Sequence, residues 1–269
     1  MAFAEIHEGD APPDIARLYA RLREAVGIPV VNLIWRHAAT MPGVLAWMVD
    51  TAEDIMRSAA VRNERDAMLA LGDAAAFADF AAAARCLPEA EQAMLRVMVD
   101  TYNRGNLTNL QVLTALRQAI AGEPMGGAPL TLDALPPPML PALPPQPKLS
   151  ELPARIADEV RALAAFHDRI GGAVPSLYVH LALIPSMLGP MRAATAPLFA
   201  SGAVRALRDR LITRAHSAAP KLRAGMMTPP GPFPAGYAAS LLPALDGFAG
   251  GLIAEMAGIG AGIAMAFDQ

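Results

Sequence analysis

One carboxylate stands alone in an apolar run. Residues 247–267 read GFAGGLIAEMAGIGAGIAMAF, and Glu255 is their only charge. Buried without a partner, a carboxylate has its pKa raised and becomes a candidate acid or base. Paired with an arginine it is structural, and facing water it is inert; the spacing leaves all three readings open. His37 and His180 form a second candidate set. Each is followed by Ala at +2, Pro at +5 and Leu at +8, and their equivalent settings point to a shared structural role rather than to ligands or bases. Asn106 follows Gly105, a pair that suits a turn and also offers an amide to a pocket. Trp35 and Tyr102 read as core or pocket wall. Cys86, the only cysteine, lies in an Ala-rich run with no nearby His and reads as a buried or incidental thiol. It excludes an internal disulfide and a CxxC redox pair. No Ser-His-Asp spacing, metal-ligand cluster or phosphate loop is present, and GIGAG at 258–262 has no preceding strand. Neither a metal nor a cofactor is expected.

The elements that must position these residues are helices. Ala, Leu, Met and Arg favour them and β-branched runs are rare. Residues 14–26, DIARLYARLREAV, put Ile15, Leu18, Leu22 and Val26 on one face. Asn32 is placed to cap the next helix, and Pro42 suits the first turn of the one after, through about Ser58. Pro88 opens EAEQAMLRVMVDTYN, and the Gly105–Asn106 pair is expected to break it before LTNLQVLTALRQAI.

Residues 122–147 contain nine prolines. Proline lacks an amide donor and holds φ fixed, so this stretch reads as an extended, semi-rigid linker. It separates an N-terminal half (1–121) from a C-terminal half (148–269). His37, Pro42 and Leu45 match His180, Pro185 and Leu188 at an offset of 143 residues, and Pro88, Asp100 and Gly105 match Pro234, Asp246 and Gly251 at 146. The expected architecture is all-α: two tandem helical repeats packed as a pseudo-two-fold around that linker, as isologous dimers pack.

Composition narrows the function classes. The formal net charge is −3 and there are two lysines, Lys148 and Lys221, so no basic patch for nucleic acid is present. The N-terminus, MAFAEIHEGDAPP, lacks the apolar core of a signal peptide, and a cytoplasmic location is expected. The run 247–267 is long enough to span a bilayer. The rest of the chain is not membrane-like, so it is read as a helix buried between the halves, opposite the helix containing 107–120, its glycines and alanines admitting close neighbours.

Three stretches carry a family resemblance: GIPVVNLIWRHAATMPGVLAW (27–47), YNRGNLTNLQVLTAL (102–116) and FHDRIGGAVPSLYVHLALIPSML (166–188). They resemble the group I (DehI-type) DL-2-haloacid dehalogenases and, more loosely, the AhpD and carboxymuconolactone-decarboxylase helical fold. The resemblance implies hydrolytic displacement of halide from a 2-haloacid in a pocket between the halves. That chemistry needs a carboxylate base, an amide that aims the water, donors for the substrate carboxylate and an apolar wall. By the resemblance, Asn106 positions the water, Ser176 is a pocket serine, and Val30, Asn32, Leu33, Tyr102 and Leu177 line the pocket. Counting from Pro185 puts the family's catalytic Asp at Leu177. No acid occurs in 170–185; Asp168 lies just before the glycine turn, and Glu53 and Asp54 follow the first proline motif. The expected partner is a small carboxylic acid, with no nucleic acid and no membrane, and a homodimer suits such a fold. Three readings follow: a dehalogenase with a departed site and Glu255 as a speculative acid or base; a non-dehalogenating relative that binds a small apolar acid or has another specificity; and a structural or membrane-associated helical protein.

Overall fold

In the computed structural model, residues 4–133, 136–167, 173–229 and 231–269 are described, and among them the regular structure is helical. The first series is α1 (Pro13–Val26), α2 (Leu33–Ala38), α3 (Val44–Met56), α4 (Ala59–Leu69), α5 (Ala78–Arg85) and α6 (Glu89–Ile120). The second is α7 (Ala154–Ala164), α8 (Ser176–Leu181), α9 (Leu188–Ala200), α10 (Ala203–Gly225), α11 (Ala238–Gly247) and α12 (Ile253–Phe267). A π-helical turn, Phe248–Leu252, joins the last two. The two series run in similar order: α2 and α8 have 6 residues each, and α3 and α9 have 13 each.

The apolar periodicity of α1 buries Leu22 and Val26, while Ile15 and Leu18 pack at the edge of the core. Gly27 ends α1 at φ 72°, a left-handed conformation that favours glycine. A side chain there would also meet Arg104 and the carbonyls of Pro137 and Pro138. Arg104 donates to the carbonyls of Gly27 (2.9 Å) and Pro138 (2.7 Å), and the Leu140 amide donates to Gly27 (3.0 Å). The proline-rich segment is thus tied along the helices rather than held off them.

Three local expectations are corrected. The glycine at 105 does not break its helix: α6 runs for 32 residues through Gly105 and Asn106. An interior glycine costs about 1 kcal/mol relative to alanine, whereas Met98, Val99, Leu107, Leu110, Val112, Leu113 and Leu116 are all buried along this helix and outweigh it. Asn32 occupies the N-cap position of α2 but its side chain makes no capping bond. Pro42 lies in the turn before α3, whose N-cap is Gly43 at φ 78°; Ser58 caps α4, its Oγ accepting from the Val61 amide at 3.2 Å.

The residues 238–267 form one apolar rod long enough to cross a membrane, but 78% of its most apolar stretch is buried inside the protein. It runs antiparallel to α6. Arg96 donates to Asp268, Asn103 to the Gly260 carbonyl at 2.9 Å, and Arg117 to Asp246 at 2.8 Å. The small residues of α12 admit these neighbours: a Cβ on Gly260 would collide with the Asn103 amide and one on Gly262 with the Phe77 ring.

Gly72 approaches α12 so closely that a Cβ would stand 2.4 Å from the backbone carbon of Ala261. Backbone cannot rotate aside as a side chain can, so Gly72→Ala should destabilise the protein by about 1–3 kcal/mol, the usual cost of overpacking. Urea unfolding checks this; an unchanged midpoint would contradict the contact.

Candidate active site

A small cavity of about 40 Å³ lies where α2, α6, α8 and the α11–α12 rod meet. This is room for a few water-sized groups. Its lining comes from both sides of the proline-rich segment. Asn32, Leu33 and Ile34 come from the start of α2; Tyr102 and Asn106 from α6; and Val174, Pro175, Ser176 and Leu177 from the entry to α8. Phe248, Leu252, Ile253 and Met256 close it. Of the residues expected at the site, Asn32, Leu33, Tyr102, Asn106, Ser176 and Leu177 are brought together. Val30 is not: it packs at the edge of the core. None of the lining residues carries a carboxylate.

Three asparagines climb α6 at intervals of three, and each reaches a different element. Asn103 bonds α12, Asn106 Oδ1 lies 3.5 Å from Asn32 Nδ2, and Asn109 Oδ1 accepts from Trp35 Nε1 at 2.9 Å. Gly105 makes the middle contact possible, because a Cβ there would stand 3.1 Å from Asn32 Oδ1. This period-three row is a sequence signal that would have marked Asn103 and Asn109 beside Asn106. The wall residues Phe248, Leu252 and Met256 recur every four residues in the apolar run. Their assignment to the cavity depends on the π turn, a local irregularity that often marks functional positions.

Tyr102 is held from behind by His180. The His180 Nε2 lies 2.9 Å from the carbonyl of Pro144, which can only accept, so Nε2 carries the proton. Nδ1 therefore accepts from the Tyr102 hydroxyl at 2.6 Å. Burial raises the Tyr102 pKa, and burial lowers that of His180, so both stay neutral near pH 7. His37 has no such setting: it is partly exposed, with Nδ1 2.8 Å from the Ala4 carbonyl. The two histidines do not share one structural role, because the groups that surround each come from unrelated segments.

The His180 setting has a consequence for stability. Burial holds its folded pKa below the ordinary histidine value of 6.5, so the unfolded chain binds more protons in this range. The contribution is complete above the unfolded pKa and is lost as pH falls from there through the folded one. Thermal melts should show stability falling below about pH 6.5, and His180→Phe, although less stable throughout, should flatten that part of the profile. An equally steep profile in the variant would refute it.

Glu255 is buried but lies outside the cavity. Its Oε2 accepts from His167 Nδ1 at 2.8 Å and its Oε1 from Arg208 at 3.2 Å. His167 Nε2 in turn lies 2.9 Å from the Tyr178 hydroxyl. Burial and the nearby Glu255 charge push the Tyr178 pKa up. This chain joins α12, α10, the end of α7 and α8. It gives Glu255 the paired setting and does not bring it to the lining as an acid or base. Glu53 is likewise engaged, with Arg21 at 2.6 Å; Asp168 lies outside the described residues. Cys86 is exposed, so the thiol is not a core residue.

No protein-family model and no curated protein matches the chain. Solved structures do. A D-2-haloacid dehalogenase mutant aligns with a TM-score of 0.75 at 14% identity, over 98% of this chain and 96% of that one. A D-2-haloacid dehalogenase mutant in complex with D-2-CPA gives 0.72 at 17% identity, over 99% and 95%. A D-2-haloacid dehalogenase in complex with L-LA gives 0.73 at 16%, over 98% and 96%. At these identities the likeness is one of fold, and it extends over nearly the whole chain: this protein has the fold of the D-2-haloacid dehalogenases.

Proposed function

We propose that the cavity beside Asn106 receives a small 2-substituted carboxylic acid and that the protein is a relative of the haloacid dehalogenases whose hydrolytic power is greatly reduced. The observation that carries this reading is the lining itself. Asn32, Asn106 and Ser176 supply polar contacts among apolar walls, while Leu177 stands where the resemblance calls for the base. Hydrolysis at a saturated carbon needs a group that removes a proton from the attacking water, and such a base contributes about 10²–10⁴-fold. A leucine cannot do this. The fold neighbours support the substrate class, since two of them were solved with D-2-CPA and L-LA.

The equal lengths of α2 and α8 and of α3 and α9, met in the same order, support a tandem repeat with a pseudo-two-fold and the pocket between its halves. The burial of residues 238–267 supports a soluble protein rather than a membrane-associated one. The test is chloride release from both enantiomers of 2-chloropropionate, measured beside calorimetric binding of the same acids. Binding without appreciable release supports the proposal, and Asn106→Ala should weaken that binding. Robust wild-type release that survives Asn106→Ala would overturn it, as would the absence of binding.

A further inference from the structure

A second cavity, about 230 Å³, opens on another face of α12. Leu252, Ile253 and Met256 face the first cavity, and Gly258 and Ile259 the second, as the 3.6-residue turn requires. Its walls are apolar: Phe77, Leu198, Val204, Leu207 and Ile259. Gly258 leaves it open on one side, since a Cβ there would come 3.0 Å from Leu207.

Two opposite charges line this cavity, Asp73 and Arg210, and both are exposed. They lie more than 4.0 Å apart, and neither forms an ion pair among the described residues. Asp73 is not free to drift: its Oδ1 accepts from the Ala76 amide at 3.3 Å, at the start of the turn Ala75–Phe77, which leaves the second oxygen available.

We propose that this cavity binds a small zwitterion with an apolar body, an α-amino acid of the leucine type. Its carboxylate meets Arg210, its ammonium meets Asp73, and its side chain displaces water from the apolar walls. A simple fatty acid would pair with Arg210 and leave Asp73 unmatched, and an alkylamine would pair with Asp73 and leave Arg210 unmatched; the zwitterion answers both. The exposed charges contribute modestly and the side chain contributes most, so a Kd on the order of 0.1–1 mM is expected.

Isothermal titration of the full-length protein with L-leucine tests this. Saturable binding is expected, with 4-methylpentanoate and 3-methylbutylamine each about 3- to 5-fold weaker, and Arg210→Gln weakening leucine by a similar factor. Ala206 is exposed at the cavity, so Ala206→Trp should fill it without unfolding the protein and abolish binding. Saturating 2-chloropropionate, directed to the Asn106 cavity, should leave leucine affinity unchanged. The proposal is overturned if no saturable heat appears up to about 10 mM leucine, well above the expected Kd. It also falls if 4-methylpentanoate binds as tightly, if binding persists in Ala206→Trp, or if 2-chloropropionate competes with leucine.

Discussion

Leu177→Asp should raise halide release from 2-chloropropionate by about 10- to 100-fold over a near-background wild type. The substitution puts a carboxylate into the wall shared with Asn106, where a water held by the amide would lie within its reach. A well-placed general base is worth about 10²–10⁴-fold, but misplacement by about 1 Å forfeits on the order of 10²-fold, which sets the modest gain. Leu177 is buried at 2% exposure, so the new carboxyl will be harder to ionise and the gain should grow as pH rises. Adding Asn106→Ala should remove the gain. A folded Leu177→Asp protein with wild-type release would show that position 177 does not face the reacting carbon.

Glu255→Ala should be among the most destabilising single substitutions in this chain, costing about 3 kcal/mol. Removing one partner of a buried pair leaves the other uncompensated, at a typical cost of 3–5 kcal/mol. The lower figure fits here because Arg208 retains Asp209 at 3.0 Å and is itself 18% exposed. In a protein of this size that corresponds to a fall in Tm of about 6–12 °C. Binding of a small acid beside Asn106 should be unaffected in whatever fraction remains folded. Glu255→Gln separates structure from catalysis. Measured in the Leu177→Asp background, where release is expected, an acid–base role predicts normal stability with all turnover lost, whereas the pairing with His167 and Arg208 predicts a loss of stability with turnover per folded molecule unchanged. A melting temperature for Glu255→Ala within 2 °C of wild type, the shift expected of about 0.5 kcal/mol, would refute the structural reading.

What the sequence by itself determined is periodic. The apolar spacing of α1, the burial of the 247–267 run and the exclusion of helix from the proline-rich segment are all consequences of residue type and local spacing, and they were legible without coordinates. So was the group Asn32, Asn106, Ser176 and Leu177, though only through a family resemblance. What the tertiary structure decided is partnership. Gly105 sits inside a continuous helix because the surrounding core outweighs the local cost of a glycine. His37 and His180 share Ala at +2, Pro at +5 and Leu at +8, yet His180 meets a tyrosine 78 residues away and a proline carbonyl 36 residues away, while His37 meets the Ala4 carbonyl. Glu255 could have been reactive, solvated or paired, and the choice was made by Arg208 on α10 and by His167 in the segment after α7. A side chain's period comes from its own helix, but its desolvation and its hydrogen-bond partners come from groups distant in the chain, and these decide its chemistry.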